Sequence, residues 1–399
     1  MKIVKYLIVG GGMTADSAAR AIRGVDADGS IGMIAEEADP PYDRPPLSKG
    51  LWKGKSIEKT WRNTEALGVE LFRGRRAVFL EPVRKEVVDD QDTVYRFEKL
   101  LLATGGRPRH HPSNGRPPIY YRTMQDYRNL RALADQKQRF LVIGGGFIGS
   151  EIAAALAMNG KNVTMVLPES GICGRLFPAS LAACMTRVYE KKGVRMLQGR
   201  TVVHIAHANN VVDVTMDNGE TVTADGVVAG LGIALNTDLA ERAGLRVDNG
   251  ILVDECLETT HESIYAAGDV ANFYCPMLQS RLRVEHEDNA NAMGKQAGMN
   301  MTGENKPYHY LPFFYSDLFD DGYEAIGETD PRHEIVEDWE EPHKKGVIFY
   351  VKQERVRGVL LWNVFGKVNA ARDLIASPEP CDRDSLHAWS RGIGLRRSS

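Results

Sequence analysis

Lys49 follows a serine in the stretch PYDRPPLSKG at residues 41–50, where three prolines surround an arginine and a lysine just after a strand-like run. Proline rings fix φ and disfavour helix, so this segment is expected to be stiff and non-helical. It would hold Arg44 and Lys49 beside something anionic or reactive. The chain's five cysteines, Cys173, Cys184, Cys256, Cys275 and Cys381, are scattered, and no two stand at C-x-x-C or C-x4-C spacing. The thiols read as buried or unreactive, no metal clamp is expected, and no cysteine is available to the first third of the chain for a thiol relay.

Two glycine patterns supply a second kind of chemistry. KYLIVGGGMTADSAARAIR carries Gly10, Gly12 and Ala15 between an apolar strand and a helix whose apolar face is Ala15, Ala18, Ala19 and Ile22. Glycines there permit a tight turn and let backbone N–H groups reach a pyrophosphate at the positive end of the helix. The next strand, SIGMIAEE, ends in Glu36, placed to accept from ribose hydroxyls. RFLVIGGGFIGSEIAAALAMNGKNVTMVLPES repeats the same order with Gly144, Gly146 and Gly149, and Glu169 stands two residues beyond the strand-ending Leu167. Two such units imply two dinucleotides, and a flavin next to a nicotinamide is the common reason to hold both. An acid at Glu169 repels a 2′-phosphate, which favours NADH, while nearby Arg175 keeps NADPH open. Two shorter runs, LLATGGRPR at 101–109 and SIYAAGDVANF at 263–273, read as buried strands emptying into glycine turns, with Asp269 placed either to bond a polyol or to cap a turn.

The remaining features position these groups. The chain has 399 residues, 43% hydrophobic and 26% charged, which suits two or three globular domains. A net charge of -3 gives no electrostatic reason to expect nucleic acid or an anionic membrane. Apolar runs such as GVVAGLGIAL fall short of a membrane span, and KIVKYLIVG follows Met1 at once, leaving no room for a signal peptide; a cytoplasmic protein is expected. FFYSD, YEAIG, GVIFYV and VRGVLLWN read as strands, followed by helical periodicity in KVNAARDLIAS.

The order GxGxxA, PYDRPPLSK, ATGGRPR, GGGFIGSE, AAGDV and RVEHEDNA resembles the FAD-dependent reductases with two dinucleotide domains, a family that includes putidaredoxin-reductase-type ferredoxin reductases. LPESGICGRLFP, YSDLFDDGYEAIGE and KKGVIFYVKQERVRGVLLWNVFGKVNAARDLI most resemble the apoptosis-inducing factors. The resemblance implies an α/β fold with two Rossmann-like domains of the glutathione-reductase type. The FAD domain would be discontinuous, 1–114 plus 243–308, with the NAD domain inserted as 115–242, and 309–399 forming a C-terminal α+β domain with an antiparallel sheet. Only the short PRHEIVEDWEEPH stands where apoptosis-inducing factors carry a long insertion.

Carried over by motif, the resemblance implies FAD contacts from Glu36, Arg44, Lys49, Ala103, Thr104, Gly105, Arg109 and Asp269, and NAD contacts from Gly146, Glu151, Glu169 and Gly232. Glu285 and His286 of RVEH would lie near nicotinamide and flavin, and Tyr315 takes a position where the family often has Trp near the flavin, with a place in the third-domain core as the alternative. NADH peroxidases and oxidases, which resemble this fold, place a reactive cysteine in the loop where PPLSKG sits; position 49 is lysine. By resemblance Lys49 pairs with Glu151, in the first turn of the second glycine-motif helix and so across a domain boundary. The expected activity is hydride transfer from NADH to FAD without a redox-active disulfide. Three destinations for the electrons stay open: quinone, dye or oxygen; a [2Fe-2S] ferredoxin feeding an oxygenase; or slow turnover in a protein whose redox state changes its binding partners. NAD-induced homodimerisation is suggested by the resemblance alone.

Overall fold

The computed structural model describes residues 1–112, 117–208 and 211–395. It forms two compact units: Met1–Arg44, Ser56–Arg107 and Ala234–Pro312 make the first, and Pro45–Lys55, Pro108–Ile233 and Phe313–Ser399 the second. The expected domain junction at residues 114 and 115 lies outside the described residues.

The first unit is built on strands β1 (Lys2–Val9), β2 (Ile31–Ala35), β3 (Val69–Arg73), β4 (Ala77–Glu81), β5 (Glu86–Asp89) and β6 (Val94–Leu102), with helix α1 (Met13–Val25) after β1. The order is β3-β2-β1-β6-β5-β4, and the strand Ile264–Ala266 joins β6 in parallel beside Leu100–Leu102. β3, β2, β1 and β6 run parallel, whereas β5 and β4 turn back as a meander. β1 and β2 are near-continuous apolar runs because a parallel sheet is covered on both faces. Arg23 closes α1 by donating to the carbonyls of Leu67, Asp26, Ala27 and Gly29, which pins the loop leading to β2.

α1 lies against the helix Glu287–Met301 at backbone contact. A Cβ on Gly294 would stand 2.4 Å from the Thr14 carbonyl oxygen, and one on Gly298 at the same distance from that of Ala18. Ser17 and Arg62 both bond Asn291 of that helix, and Arg62 also reaches the buried Asp16 carboxylate. The first turn of α1 is therefore fixed from two sides.

In the second unit, helices α2 (Met124–Gln136), α3 (Phe147–Met158) and α4 (Ala179–Lys191) accompany a parallel sheet ordered 195–198, 162–167, 139–143, 226–229, 119–120. A three-stranded antiparallel sheet, 202–208, 211–216 and 221–224, shares an apolar core of Leu141, Val166, Ile205, Val214 and Val227 with it. The C-terminal antiparallel sheet is ordered 313–318, 321–327, 355–362, 345–352, 334–341. The α/β class with Rossmann-like parallel sheets and a C-terminal antiparallel sheet is as the sequence led us to expect.

Two local expectations need correction. The proline-rich segment is not free of helix: Pro45–Leu47 and Gly50–Lys53 are short 3-10 turns, since a φ fixed near −65° suits the start of such a turn. EIVEDWEE, read only as part of a short connecting stretch, is the strand Glu334–Glu341 at the sheet edge, where Glu334 and Glu341 are exposed and deter further pairing while Asp338 is buried against His387. Gly294→Ala is expected to force α1 and its partner helix apart at a backbone contact, at a cost of about 1–3 kcal/mol. Thermal unfolding should show a melting temperature lower by several degrees, whereas Gly392→Ala, whose Cβ would meet nothing within 4 Å, should leave it unchanged.

Candidate functional site: two glycine turns and a buried ion pair

The first glycine turn packs too closely for side chains and leaves its outer side open. Gly10, at φ +128°, would place a Cβ 2.1 Å from the Ala103 carbonyl oxygen. Gly12 is the N-cap of α1 without a side-chain cap, and a Cβ there would meet nothing within 4 Å. Uncapped N–H groups facing open space at a helix N-terminus fit a dinucleotide pyrophosphate. Gly268 packs on Thr14, 2.4 Å from its Oγ1 by the same measure, so the turn carrying Asp269 adjoins this helix start. His286 is the N-cap of the partner helix, half-buried, and Glu285 is tied to Arg283. Asn236, which the sequence did not single out, holds the 104–105 turn by bonding the carbonyls of Thr104 and Gly105 and accepting from the Thr104 hydroxyl.

Arg44 belongs to a local cluster. Its guanidinium lies 2.6 Å from Glu37 and 5.2 Å from the centroid of the Tyr42 ring, whose hydroxyl donates to the same carboxylate at 2.6 Å. Burial works against the arginine's charge, but Tyr42, Glu37 and Asp269 outweigh it and raise its pKa. Glu36 is exposed just past β2, and Glu37, unnoticed in the sequence, is the acid that engages Arg44.

The second turn repeats the geometry. Gly144 (φ +101°) lies against the Gly230 carbonyl and Gly149 against that of Gly144, with would-be Cβ distances of 2.4 and 1.9 Å, while Gly146 at the N-cap of α3 faces open space. The Cys173 N–H bonds the Gly145 carbonyl at 2.8 Å, so the loop after Leu167 folds back onto the turn. Glu169 is 20% exposed and pairs at 2.6 Å with Arg175, which is 84% exposed. The Gly232 carbonyl accepts the Arg109 N–H, and the Arg109 side chain donates to Ile233 O, away from any acid.

One turn into α3 stands Glu151, 5% exposed. It occupies the second turn of the helix, not the first, because Phe147 opens α3. Lys49 Nζ lies 2.6 Å from Oε1, Ser48 Oγ donates to Oε2 at 2.5 Å, and Ser316 Oγ donates to Oε1 at 2.5 Å. The ammonium is also 5.2 Å from the centroid of the Tyr315 ring, a cation–π distance. Lys49 and Glu151 fall within the same compact unit. Segment 45–55 packs there through its apolar residues: Tyr121 OH and Trp52 Nε1 donate to Leu47 O, Asn159 donates to Trp52 O, and Trp52 meets Tyr127 edge to face. The sequence reading gave neither serine a role. For Ser316 a signal exists: strand alternation puts it on the buried face between Phe314 and Leu318, where a lone hydroxyl needs a partner.

No two of the five cysteines form a disulfide. Burial pushes the Cys173 thiol up to about 12, and the neighbouring Glu151 and Glu169 charges act in the same direction. Among the described residues no helix is long and apolar enough to cross a membrane.

Comparison with known proteins agrees with this geometry. The family model for pyridine nucleotide-disulphide oxidoreductases matches residues 4–294, and the apoptosis-inducing factor C-terminal model matches 328–377. The chain is 35% identical to mitochondrial apoptosis-inducing factor 1 of Dictyostelium discoideum over 93% of its own length and 78% of that protein. It is also 35% identical to the ferredoxin–NAD(+) reductase component of the anthranilate 1,2-dioxygenase system of Burkholderia cepacia, over 81% of each chain. The crystal structure of the ferredoxin reductase for the CYP199A2 system of Rhodopseudomonas palustris superposes with a TM-score of 0.89 at 27% identity, covering 98% of this chain and all of that one. FAD and NAD(H) are the cofactors of this family and of this chain. With two open glycine turns, this chain belongs to the pyridine nucleotide-disulphide oxidoreductase family, as a flavin-dependent NAD(P)H oxidoreductase.

Proposed function

We propose that the protein oxidises NADH and passes the electrons to an external acceptor without a redox-active disulfide, in the manner of an apoptosis-inducing-factor-like reductase. The observation that carries this reading is the coupling on α3. The helix begins at the open Gly146 turn and, one turn later, presents the carboxylate that holds Lys49. Gly10, Gly12, Ala15, Glu36, Arg44, the 103–105 turn and Asp269 would hold FAD; Gly144, Gly146, Gly149, Glu169 and Gly232 would hold NADH. FAD supplies the hydride acceptor and NADH the hydride. Lys49, paired and partly dry, supplies fixed positive charge, which favours negative charge arriving in the site. Hydride transfer needs no general acid or base, so these residues contribute position and field.

The first segment, 1–114 with 243–308, is proposed as the FAD domain, 115–242 as the NAD domain and 309–399 as the C-terminal domain. The apoptosis-inducing factor match at 328–377 favours an acceptor such as quinone or oxygen. A [2Fe-2S] ferredoxin is the second reading, favoured by the short strand Glu334–Glu341 in place of a long insertion and by the ferredoxin reductases among the relatives. Five cysteines without a disulfide among them support a reducing, cytoplasmic setting. Anaerobic titration with NADH followed by candidate acceptors separates the readings: rapid cytochrome c reduction only with added ferredoxin selects the second, and a long-lived reduced complex with slow reoxidation selects a redox-gated binding protein. A preparation that binds no flavin would overturn the whole reading.

Lys49→Ala and Glu151→Gln are expected to slow flavin reduction by NADH about a hundredfold in stopped flow while FAD content holds. Glu169→Ala should raise the NADPH-to-NADH ratio of kcat/KM by roughly tenfold, because removing the acid frees Arg175 for a 2′-phosphate. Cys173 should alkylate on the order of a thousandfold more slowly than a free thiol, given its raised pKa, as followed by peptide mass spectrometry. Saturating the accessible thiols should leave flavin reduction unchanged; a loss would restore a thiol to the mechanism.

A further inference from the structure

A carboxylate that is 5% exposed and meets one ammonium is incompletely satisfied, because its two oxygens offer about four lone-pair directions. A buried ion pair stabilises its charges only when further hydrogen bonds fill the rest. At Glu151 two hydroxyls do so. Ser48, 6% exposed, comes from the proline-rich segment, and Ser316, 1% exposed, from the strand Phe313–Leu318, so the carboxylate is gripped from two elements besides its own helix. Each hydroxyl has a single proton to give. The alternative acceptor for Ser48, the Pro45 carbonyl, is 3.5 Å away against 2.5 Å for Glu151 Oε2.

We infer that Ser48 and Ser316 are positioning residues: their hydroxyls hydrogen-bond the Glu151 carboxylate and fix its orientation, so that Lys49 keeps its place over the Tyr315 ring. Neighbouring polar groups do not substitute for them. Cys173, Tyr121, Tyr189 and Tyr323 all interact with Glu151, and burial pushes each of their pKa values up, which leaves them neutral at physiological pH. Their neutrality leaves Lys49 as the countercharge and the serines as its reinforcement. Removing one hydroxyl from a buried carboxylate favours its protonated form. A neutral Glu151 no longer draws Lys49 toward Oε1, and the fixed charge loses its aim.

The inference rests on the role given to Lys49 and Glu151 above, and the test separates the two. FAD-saturated Ser48→Ala, Ser316→Ala and Ser316→Thr proteins are compared with wild type and with Lys49→Ala. FAD content, stopped-flow reduction by NADH from about pH 6 to about pH 8, and the infrared band of a protonated carboxyl, assigned by its loss in Glu151→Gln backgrounds and followed in apoprotein as well, are read together. Ser316→Ala is expected to keep its flavin and to reduce roughly tenfold more slowly at the acid end. Its rate should recover toward wild type at the alkaline end, with a new carboxyl band at low pH. Ser316→Thr, which retains the hydroxyl, should restore both signals, and Ser48→Ala should shift in the same direction if Ser316→Ala fails to fold. Wild-type rates and no new band in either serine variant, with Lys49→Ala still slow, would overturn the serine inference alone. A loss independent of pH that threonine does not repair would reduce the serines to a structural role and overturn it too. If Lys49→Ala itself reduces at the wild-type rate, the reading of the ion pair falls first and takes this inference with it.

Discussion

The carboxylate of Glu151 cannot be left alone in a site that is 5% exposed. An isolated buried charge costs several kcal/mol, and breaking a buried pair leaves that cost uncompensated. The structure resolves this with three donors from outside α3: Lys49 and Ser48 from the proline-rich segment, and Ser316 from the C-terminal sheet. One acid thereby registers three stretches of the second unit against one another, stretches separated by about a hundred residues or more of sequence. The stiffness of residues 45–55 serves this register. Leu47 and Trp52 are buried, Tyr121 bonds the backbone between them, and Lys49 and Ser48 are left facing the acid.

A second constraint, close backbone approach, shapes both nucleotide turns. Gly10, Gly144 and Gly149 lie where any Cβ would collide with a carbonyl group, whereas Gly12 and Gly146 face open space. The two sets of glycines thus do different work. One lets strand, turn and neighbouring loop pack at van der Waals distance, and the other leaves the first N–H groups of the helix uncovered for an anion. In the first unit the same economy of size extends to Gly268, Gly294 and Gly298, which bring the AAGD turn and the RVEH helix against α1.

In the proposed reading, these constraints are what let a chain of this family work without a redox thiol. A redox disulfide supplies both a nucleophile and a place to store electrons. Here no two cysteines form a disulfide, and burial holds the Cys173 thiol protonated. The contribution proposed for Lys49 and Glu151 is electrostatic: a cation held in place by a buried carboxylate. The proposed site would impose little on the chemistry of the acceptor.

By itself the sequence determined the two glycine turns, the parallel and antiparallel strands around them, the missing redox cysteine pair and the family, because glycine spacing, apolar periodicity and residue type are local properties that survive without coordinates. It also brought Lys49 and Glu151 to notice through motif resemblance. It could not supply Ser48, Ser316, Glu37 or Asn236 as partners, since each acts through contacts that only the packing of distant segments creates. Ser316 is the clearest instance: alternation along FFYSDL marks it as inward-facing, yet what it faces is a carboxylate 165 residues away. The short turns at Pro45–Leu47 and Gly50–Lys53 were likewise a tertiary decision, because proline restricts φ without choosing between an extended segment and a 3-10 turn, and burial of Leu47 and Trp52 makes that choice.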